Sequence, residues 1–600
     1  MAALLLTLAA CHLVSTADYA SILSVPQTHW DRFNETVSGR LRHGIPMLAP
    51  CYTTYNGEEQ TVNTKECDVL QQGRGDPLFV SDYFGGYTTS NWAGCAATGE
   101  NCAMRYTVPD LVTPVTRECR QGSVPWMYVE ARSVEDVQKT LQFAREQGLR
   151  LVVKNTGHDY LGRSSVPGSL GLWVHNIQPP IELTRAFVPD GCSGAVGDVI
   201  TFGAGQQFKG VYEFADAHGY RAVGGTSNGV GVAGGWLAGG GHSMLSNELG
   251  LGVDNVQQIK AVLPNGTYFT ANRCQNQDLF FALRGGGGGT FAVVTEVGYL
   301  VHPKKPIQFA QISINSRDEG IVAEFFAIVV ANSERWAAEG WGGYINPAWV
   351  GGLSAVTFGT ALLDLAEAQK SLQPLIDFAN RPIETGTLGN ASVITGDYHT
   401  ILQGVIAGSS GAILPSSGFT FTSRLVPRET FIGDNQQQLA FTLHRILDTA
   451  QQQDATASSS LMMYAVTPSL YSRTLPESDL PGGPGAPSVT PAWCNSLWHV
   501  LYIRQFEGTT TDPGVVERIW QSTHDMLDPL RKITPTGGAY QNEADPFEPD
   551  HIRSFWGEEN YARLLRIKKE VDPTNLLTVH KGVGWEKTDI RYNCYPDIKV

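Results

Sequence analysis

The apolar run Leu149–Lys154 leads straight into Asn155-Thr156-Gly157-His158-Asp159-Tyr160. The run reads as a buried strand, and Gly157 lets the chain turn sharply at its end. Upstream, Trp126–Ala131 is a second strand-like run. Between them Ser133-x-x-Asp136 has the form of a capping box. Val134, Val137, Leu141 and Ala144 follow at helical spacing, and Gly148 stops the helix. The pattern predicts a strand–helix–strand unit. Downstream, a helix over Val211–His218 ends at Gly219. Val256–Phe269 reads as two strands joined at Asn265-Gly266, a tight hairpin signal, and Phe291–Leu300 is again β-rich. Residues 121–303 therefore read as an α+β domain with glycine-rich joints.

The texture changes beyond it. In 304–535, strand-like runs (Ile307–Ile314, Phe419–Val426, Leu497–Arg504) alternate with helical stretches (Leu363–Ala379, Gln436–Gln453). Ser409–Ser417 and Pro476–Pro491 read as loops. This predicts a second α+β domain. The last segment, 536–600, holds an amphipathic helix over Trp556–Val571, ended by Asp572-Pro573.

Three glycine clusters mark the first domain. After the Gly157 loop come Gly224–Gly241, with nine glycines, and Leu283-Arg284 followed by Gly285–Gly289. Glycine lets main-chain N–H groups converge, and such nests hold phosphate oxygens without a lysine. No G-x-G-x-x-G opening a Rossmann helix and no G-x-x-x-x-G-K-[ST] stands at a strand end, which argues against NAD and ATP. The clusters predict a nucleotide held mainly by main chain.

The 600 residues are 42% apolar and 17% charged, which excludes a disordered chain, a coiled coil and a collagen. The formal charge of −15, spread without long runs, argues against nucleic acid and an anionic membrane surface as partners. Ala2–Ala10 is apolar but too short to span a bilayer, and Ser15-Thr16-Ala17 offers a cleavage site. Residues 1–17 thus read as a secretion signal. Sequons at Asn34, Asn265 and Asn390 agree with that route. Of ten cysteines, Cys51, Cys67, Cys95, Cys102 and Cys119 cluster in 18–120, which reads as an irregular, disulfide-stapled N-terminal extension. With Cys11 removed the number is odd, so at least one thiol stays free. No cysteine spacing of a zinc site occurs, and no metal is expected from it.

The first loop, the stretch Val230-Gly231-Val232-Ala233-Gly234-Gly235-Trp236-Leu237-Ala238-Gly239-Gly240-Gly241-His242-Ser243 and the run Asp278–Gly289 resemble, in that order, the flavin-binding stretches of FAD-linked oxidases of the vanillyl-alcohol oxidase / p-cresol methylhydroxylase superfamily. The narrower resemblance is to its fungal berberine-bridge-enzyme-like branch. Thr490-Pro491-Ala492-Trp493, Gly538-Ala539-Tyr540-Gln541-Asn542-Glu543-Ala544-Asp545 and Asp572-Pro573 with Leu576-Leu577 are similar to its downstream signatures. The resemblance covers about 120–590 and leaves the Cys-rich extension mostly outside.

It implies an α+β fold: a two-subdomain FAD-binding domain of the p-cresol methylhydroxylase type, a substrate domain with an antiparallel sheet, and a C-terminal segment closing on the flavin. It implies FAD, joined covalently through His158. The cofactor-binding set it implies is Asn155, Thr156, Gly157, His158, Asp159, Ser227, Asn228, Val230, Gly231, Gly234, Gly235, Gly240, Gly241 and His242, with Asn228 and His242 read as structural. The family's second anchor, a cysteine, falls on Ser227, and a hydroxyl cannot form that thioether; one tether is expected. Val230 falls where a small residue gives O2 a path. The implied reaction is hydride transfer from an alcohol or activated C–H to flavin, with O2 then reduced to hydrogen peroxide. Tyr540 is the first candidate base, Asn542 a donor to substrate or flavin, and His499 faces either pocket or solvent. A carbohydrate oxidase, and a dehydrogenase using another electron acceptor, are the alternatives.

Overall fold

The computed structural model describes residues 21–104, 115–349, 352–384, 386–409, 417–453, 459–589 and 592–600. The expected secretion signal, and most of the Ser409–Ser417 loop, lie outside the described residues.

The fold is α+β, built on three main sheets. In the first, Met127–Glu130, Leu170–Trp173 and Leu151–Lys154 run parallel, and Leu41–His43 adds antiparallel to Met127–Val129. The crossover helix Val134–Glu146 starts where the sequence placed it. Ser133 Oγ accepts from Asp136 N at 3.2 Å, and Asp136 Oδ2 accepts from Ser133 N at 3.1 Å. Asp136 also pairs with Arg40. The second sheet is antiparallel, in the order Tyr268–Asn272, Val256–Val262, Val293–Leu300, Val199–Gly203, Glu182–Thr184. The expected hairpin at Asn265-Gly266 joins its first two strands. The third sheet has seven antiparallel strands, with Ser496–Glu507 between Ser459–Ala465 and Ser417–Pro427.

Helices pack on each sheet. Phe208–Ala217, Gln277–Leu283 and Glu558–Val571 pack on the second sheet in one core around Phe202, Phe281, Tyr299 and Leu564. Glu319–Ala338 and Asn435–Gln453 cover the third sheet around Phe326, Trp336 and Leu443. The helical stretch expected over Leu363–Ala379 is two helices, Leu365–Ser371 and Gln373–Ala379. Pro374 takes the first turn of the second, where a missing N–H costs nothing.

The extension is more regular than its composition suggested. It carries the helices Gln27–Thr36 and Thr64–Gly73, and Phe33 stacks on Phe143 at 4.0 Å, inside the core of the first sheet. Cys51–Cys67 and Cys102–Cys119 staple it internally. Cys95–Cys594 ties it to the C-terminal segment. Cys192–Cys274 is the fourth bridge, and Cys494 is the free thiol among the described residues. No described helix is long and apolar enough to cross a membrane.

Asp136 yields a test of the first helix. Burial opposes its charge, but Arg40, the Arg132 N–H and Ser133 outweigh burial and hold its carboxyl below the usual range. The charged form is thus favoured by folding, and its contribution is present at neutral pH and lost as pH falls through that depressed value. Asp136→Asn should cost about 1–2 kcal/mol at pH 7. In urea unfolding curves the penalty should shrink as pH falls from about 4, where the unfolded chain begins to protonate, through the depressed value at which folded wild type is protonated too.

Candidate active site

The strand Leu151–Lys154 ends under the Asn155–Tyr160 loop and fixes where that loop starts. Trp173 Nε1, on the neighbouring strand, donates to Asn155 O at 2.8 Å, and Asn155 Nδ2 donates to Ala204 O at 2.7 Å. Gly157 holds φ +76°, and a Cβ there would stand 2.6 Å from Gly86 O. Thr88 N donates to Gly157 O at 3.1 Å, so the extension buttresses the loop. Asp159 spends both oxygens on its own turn, accepting from Leu161 N, Gly162 N and Ser164. The ring of His158 is left in the wall of a large cavity, edge-on to Tyr160 at 5.2 Å.

That cavity has a volume of about 540 Å³, within the range of small-molecule and cofactor sites. All three glycine clusters line it. Asn155, Thr156, Gly157, His158 and Asp159 contribute, with Ser227, Asn228, Val230, Gly231, Gly234 and Gly235, and with Gly287–Gly289. A Cβ on Gly231 would lie 2.8 Å from the Asn155 side chain, so the two loops can approach only without one. Asn155 Oδ1 is buried without a partner. An amide-rich cradle with an unpaired polar atom fits the dinucleotide of FAD. The far wall is different: Tyr160, Phe419, Phe421, Met462, Leu501 and Ile503 make it largely apolar.

Not every expected residue reaches the wall. Gly240 and Gly241 sit behind it, packed on Tyr540 and Trp236 respectively. His499 is fully buried in the strand Ser496–Glu507 and does not line the cavity. It meets the site through Glu543: His499 Nε2 and His242 Nε2 each lie 3.0 Å from Glu543 Oε2. His242, read as structural, is therefore part of a three-residue cluster that the sequence did not reveal. Glu543 stood within the recognised Gly538–Asp545 motif, and its place next to Asn542 was the available signal. The wall at Arg74–Leu78, from the extension, had no signal at all.

Burial alone would raise the Glu543 carboxyl, but the two imidazoles outweigh it and hold it below the usual range. Burial pushes His158 down to about 4, so its imidazole is neutral at pH 7. Tyr540 accepts from Asn542 Nδ2 at 2.7 Å and donates to Trp236 O at 3.4 Å. Burial, and then Glu543, push its phenol well above the ordinary value. The hydroxyl of Tyr540, the candidate base, is thus engaged by both Asn542 and Trp236. Asn542 Nδ2 also donates to Gly235 O at 2.7 Å, linking the C-terminal segment to the glycine loop.

Comparisons with known proteins agree with this geometry. A family model described as FAD binding domain matches residues 125–272, and one described as berberine and berberine like matches 539–584. FAD-linked oxidoreductase cheF of Chaetomium globosum is 33% identical, over 94% of this chain and 88% of its own. Such coverage leaves too few residues for the extension to lie outside the resemblance, and corrects that expectation. The VAO-type flavoprotein MtVAO713 from Myceliophthora thermophila superposes with a TM-score of 0.78 at 26% identity, covering 93% of this chain and 95% of that one. Glucooligosaccharide oxidase from Acremonium strictum, whose structure is described with a 6-S-cysteinyl, 8α-N1-histidyl FAD, shares the fold at 18% identity and a TM-score of 0.56, covering 76% and 91%. The chain is a member of the FAD-linked oxidoreductases of the berberine-bridge-like, VAO-type family.

Proposed function

We propose that this protein is a secreted FAD-dependent oxidase that removes a hydride from an alcohol or activated C–H of a small, mainly apolar molecule and passes the electrons to O2. The chemistry FAD supplies when bound is acceptance of a hydride equivalent and delivery of two electrons to O2, giving hydrogen peroxide. The chain's own residues bind and orient. The glycine loops would hold the dinucleotide through main-chain N–H groups. Tyr540 and Asn542 would offer hydrogen bonds at the seam of the two walls.

The observation that carries this reading is the neutral His158 ring, set between the glycine cradle and the apolar wall. A neutral imidazole has a free lone pair, which a bond to the flavin's C8 methyl group requires. Ser227 lines the cavity where the family has its second anchor, and the free Cys494 is not in the wall. One tether follows. Val230 lines the cavity as well, where the family leaves a path for O2.

The substrate class follows from the far wall. A sugar needs a dense set of hydrogen-bond partners, because buried polar groups without them cost about 1–3 kcal/mol each. Six apolar or aromatic side chains face that side, with Ser460 and Gln505 among few polar groups. An apolar alcohol or a phenolic compound suits this wall better than an oligosaccharide. Secretion is supported by the four disulfides and the sequence of residues 1–17.

Three outcomes test this. Acid-precipitated wild type should stay yellow and His158→Ala should release its flavin to the supernatant; a colourless wild-type pellet refutes the tether. Gly231→Val should lower FAD content at least about tenfold, because the added side chain meets Asn155, as read by the ratio of flavin to protein absorbance. In a peroxide-coupled panel under air, apolar and phenolic alcohols should turn over and oligosaccharides should not. Reduction without peroxide would instead support a dehydrogenase.

A further inference from the structure

We propose that His242, His499 and Glu543 form a binding site for one divalent transition-metal cation, at the seam between the glycine-rich loop, the seven-stranded sheet and the C-terminal segment. The three donors come from distant parts of the chain. His242 ends the second glycine cluster. His499 sits in the strand Ser496–Glu507, opposite Leu425 on one side and Tyr464 on the other. Glu543 follows a turn closed by Glu543 N to Tyr540 O at 3.0 Å. The donor atoms lie within 4.8 Å of one another.

The geometry suits a cation. Each imidazole Nε2 stands 3.0 Å from the same carboxylate oxygen. A metal about 2.1 Å from the shared oxygen and from either nitrogen would see that nitrogen–oxygen edge at about 90°. Two histidines and one carboxylate are the donor set of several zinc sites and of non-haem iron sites. Calcium and magnesium prefer all-oxygen shells, so the class is a borderline ion such as Zn2+, Fe2+ or Co2+.

The surroundings also set this cluster apart from a fold-building one. Both rings make a single polar contact through Nε2, and it is to the same oxygen. Tyr464, Trp493 and Tyr540 enclose both rings, with centroids 5.3–6.4 Å from His242 and 5.8–6.1 Å from His499. Three acidic residues line the cavity. Asp159 is committed to its own loop, and Asp76 caps the helix Pro77–Ser81 through Leu78 N. Glu543 is the acid whose partners are imidazoles. His242 and Glu543 both line the cavity, so the remaining positions of a bound ion would face it and accept water or a ligand oxygen.

The test needs no substrate. The flavin-loaded full chain is stripped with EDTA, desalted and equilibrated by dialysis against ZnCl2, and bound zinc is counted by mass spectrometry. Wild type should hold one zinc per chain. His242→Ala and Glu543→Gln, compared with wild type at equal flavin loading and with far-UV circular dichroism confirming the fold, should each lose at least about tenfold in affinity. Zinc should also raise the Tm of wild type and leave that of the variants in place. Wild type without stoichiometric zinc overturns the proposal, whether or not the variants fold. So does zinc retained equally by both variants, which would place the ion elsewhere. Because metal content is read without turnover, neither result bears on the oxidase reading.

Discussion

Gln541 Nε2 donates to Gly285 O at 2.6 Å, and Asn542 Nδ2 donates to Gly235 O at 2.7 Å. Two adjacent side chains thus seal the C-terminal segment against the main chain of two glycine clusters. The approach is so close that a Cβ on Gly239 would lie 2.3 Å from Asn542 Oδ1. Trp556 Nε1 adds a third bond, to the same Gly285 carbonyl at 3.0 Å. The Gly285 carbonyl is buried, so side chains from elsewhere must satisfy it. The cradle is therefore incomplete without residues that lie 256 to 307 positions later in the chain.

The helix Glu558–Val571 extends this dependence. Lys568 Nζ donates to Thr290 O at 2.8 Å, at the end of the third cluster, and to Asp572 Oδ2 at 2.5 Å. Asp572 in turn accepts from Leu576 N and Leu577 N, both at 2.9 Å. A buried lysine is costly unless paired, and here its carboxylate partner also fixes the turn that ends the helix. Arg163, just beyond the His158 loop, donates to Gln541 Oε1 at 3.0 Å and to His580 O at 3.1 Å. One polar network thus joins the loop of His158, the seal and the tail.

Much of this was legible in the sequence, for local reasons. The capping box at Ser133 and Asp136, the Asn265-Gly266 hairpin and the three glycine clusters act over a few residues, and each is found where its pattern placed it. What could not be read depends on distance along the chain. His242, His499 and Glu543 meet only because the antiparallel sheet presents one of them to a loop and a tail. Gly240 and Gly241 share the pattern of their neighbours but turn toward Tyr540 and Trp236, because a short stretch cannot show which glycine faces the cavity. The extension looked irregular because its helices are short and its apolar residues serve a core whose other half begins after residue 120.

That shared core explains why a cysteine-rich stretch belongs to the site. Gly86 and Thr88 brace Gly157 from one side, while Lys154 Nζ reaches Tyr83 O at 3.1 Å from below. Phe84, Tyr87 and Trp173 surround that ammonium group, with centroids 4.8–5.6 Å away. The loop that presents His158 is thus clamped between its own strand and the extension. Cys95–Cys594 then ties the extension to the tail that seals the other glycine clusters. A covalent cross-link across nearly the whole chain limits how far the two halves of the cradle can separate in any partly open state. The backbone that carries His158, braced by its own strand and by the extension, is preorganised to keep one position at the cavity wall.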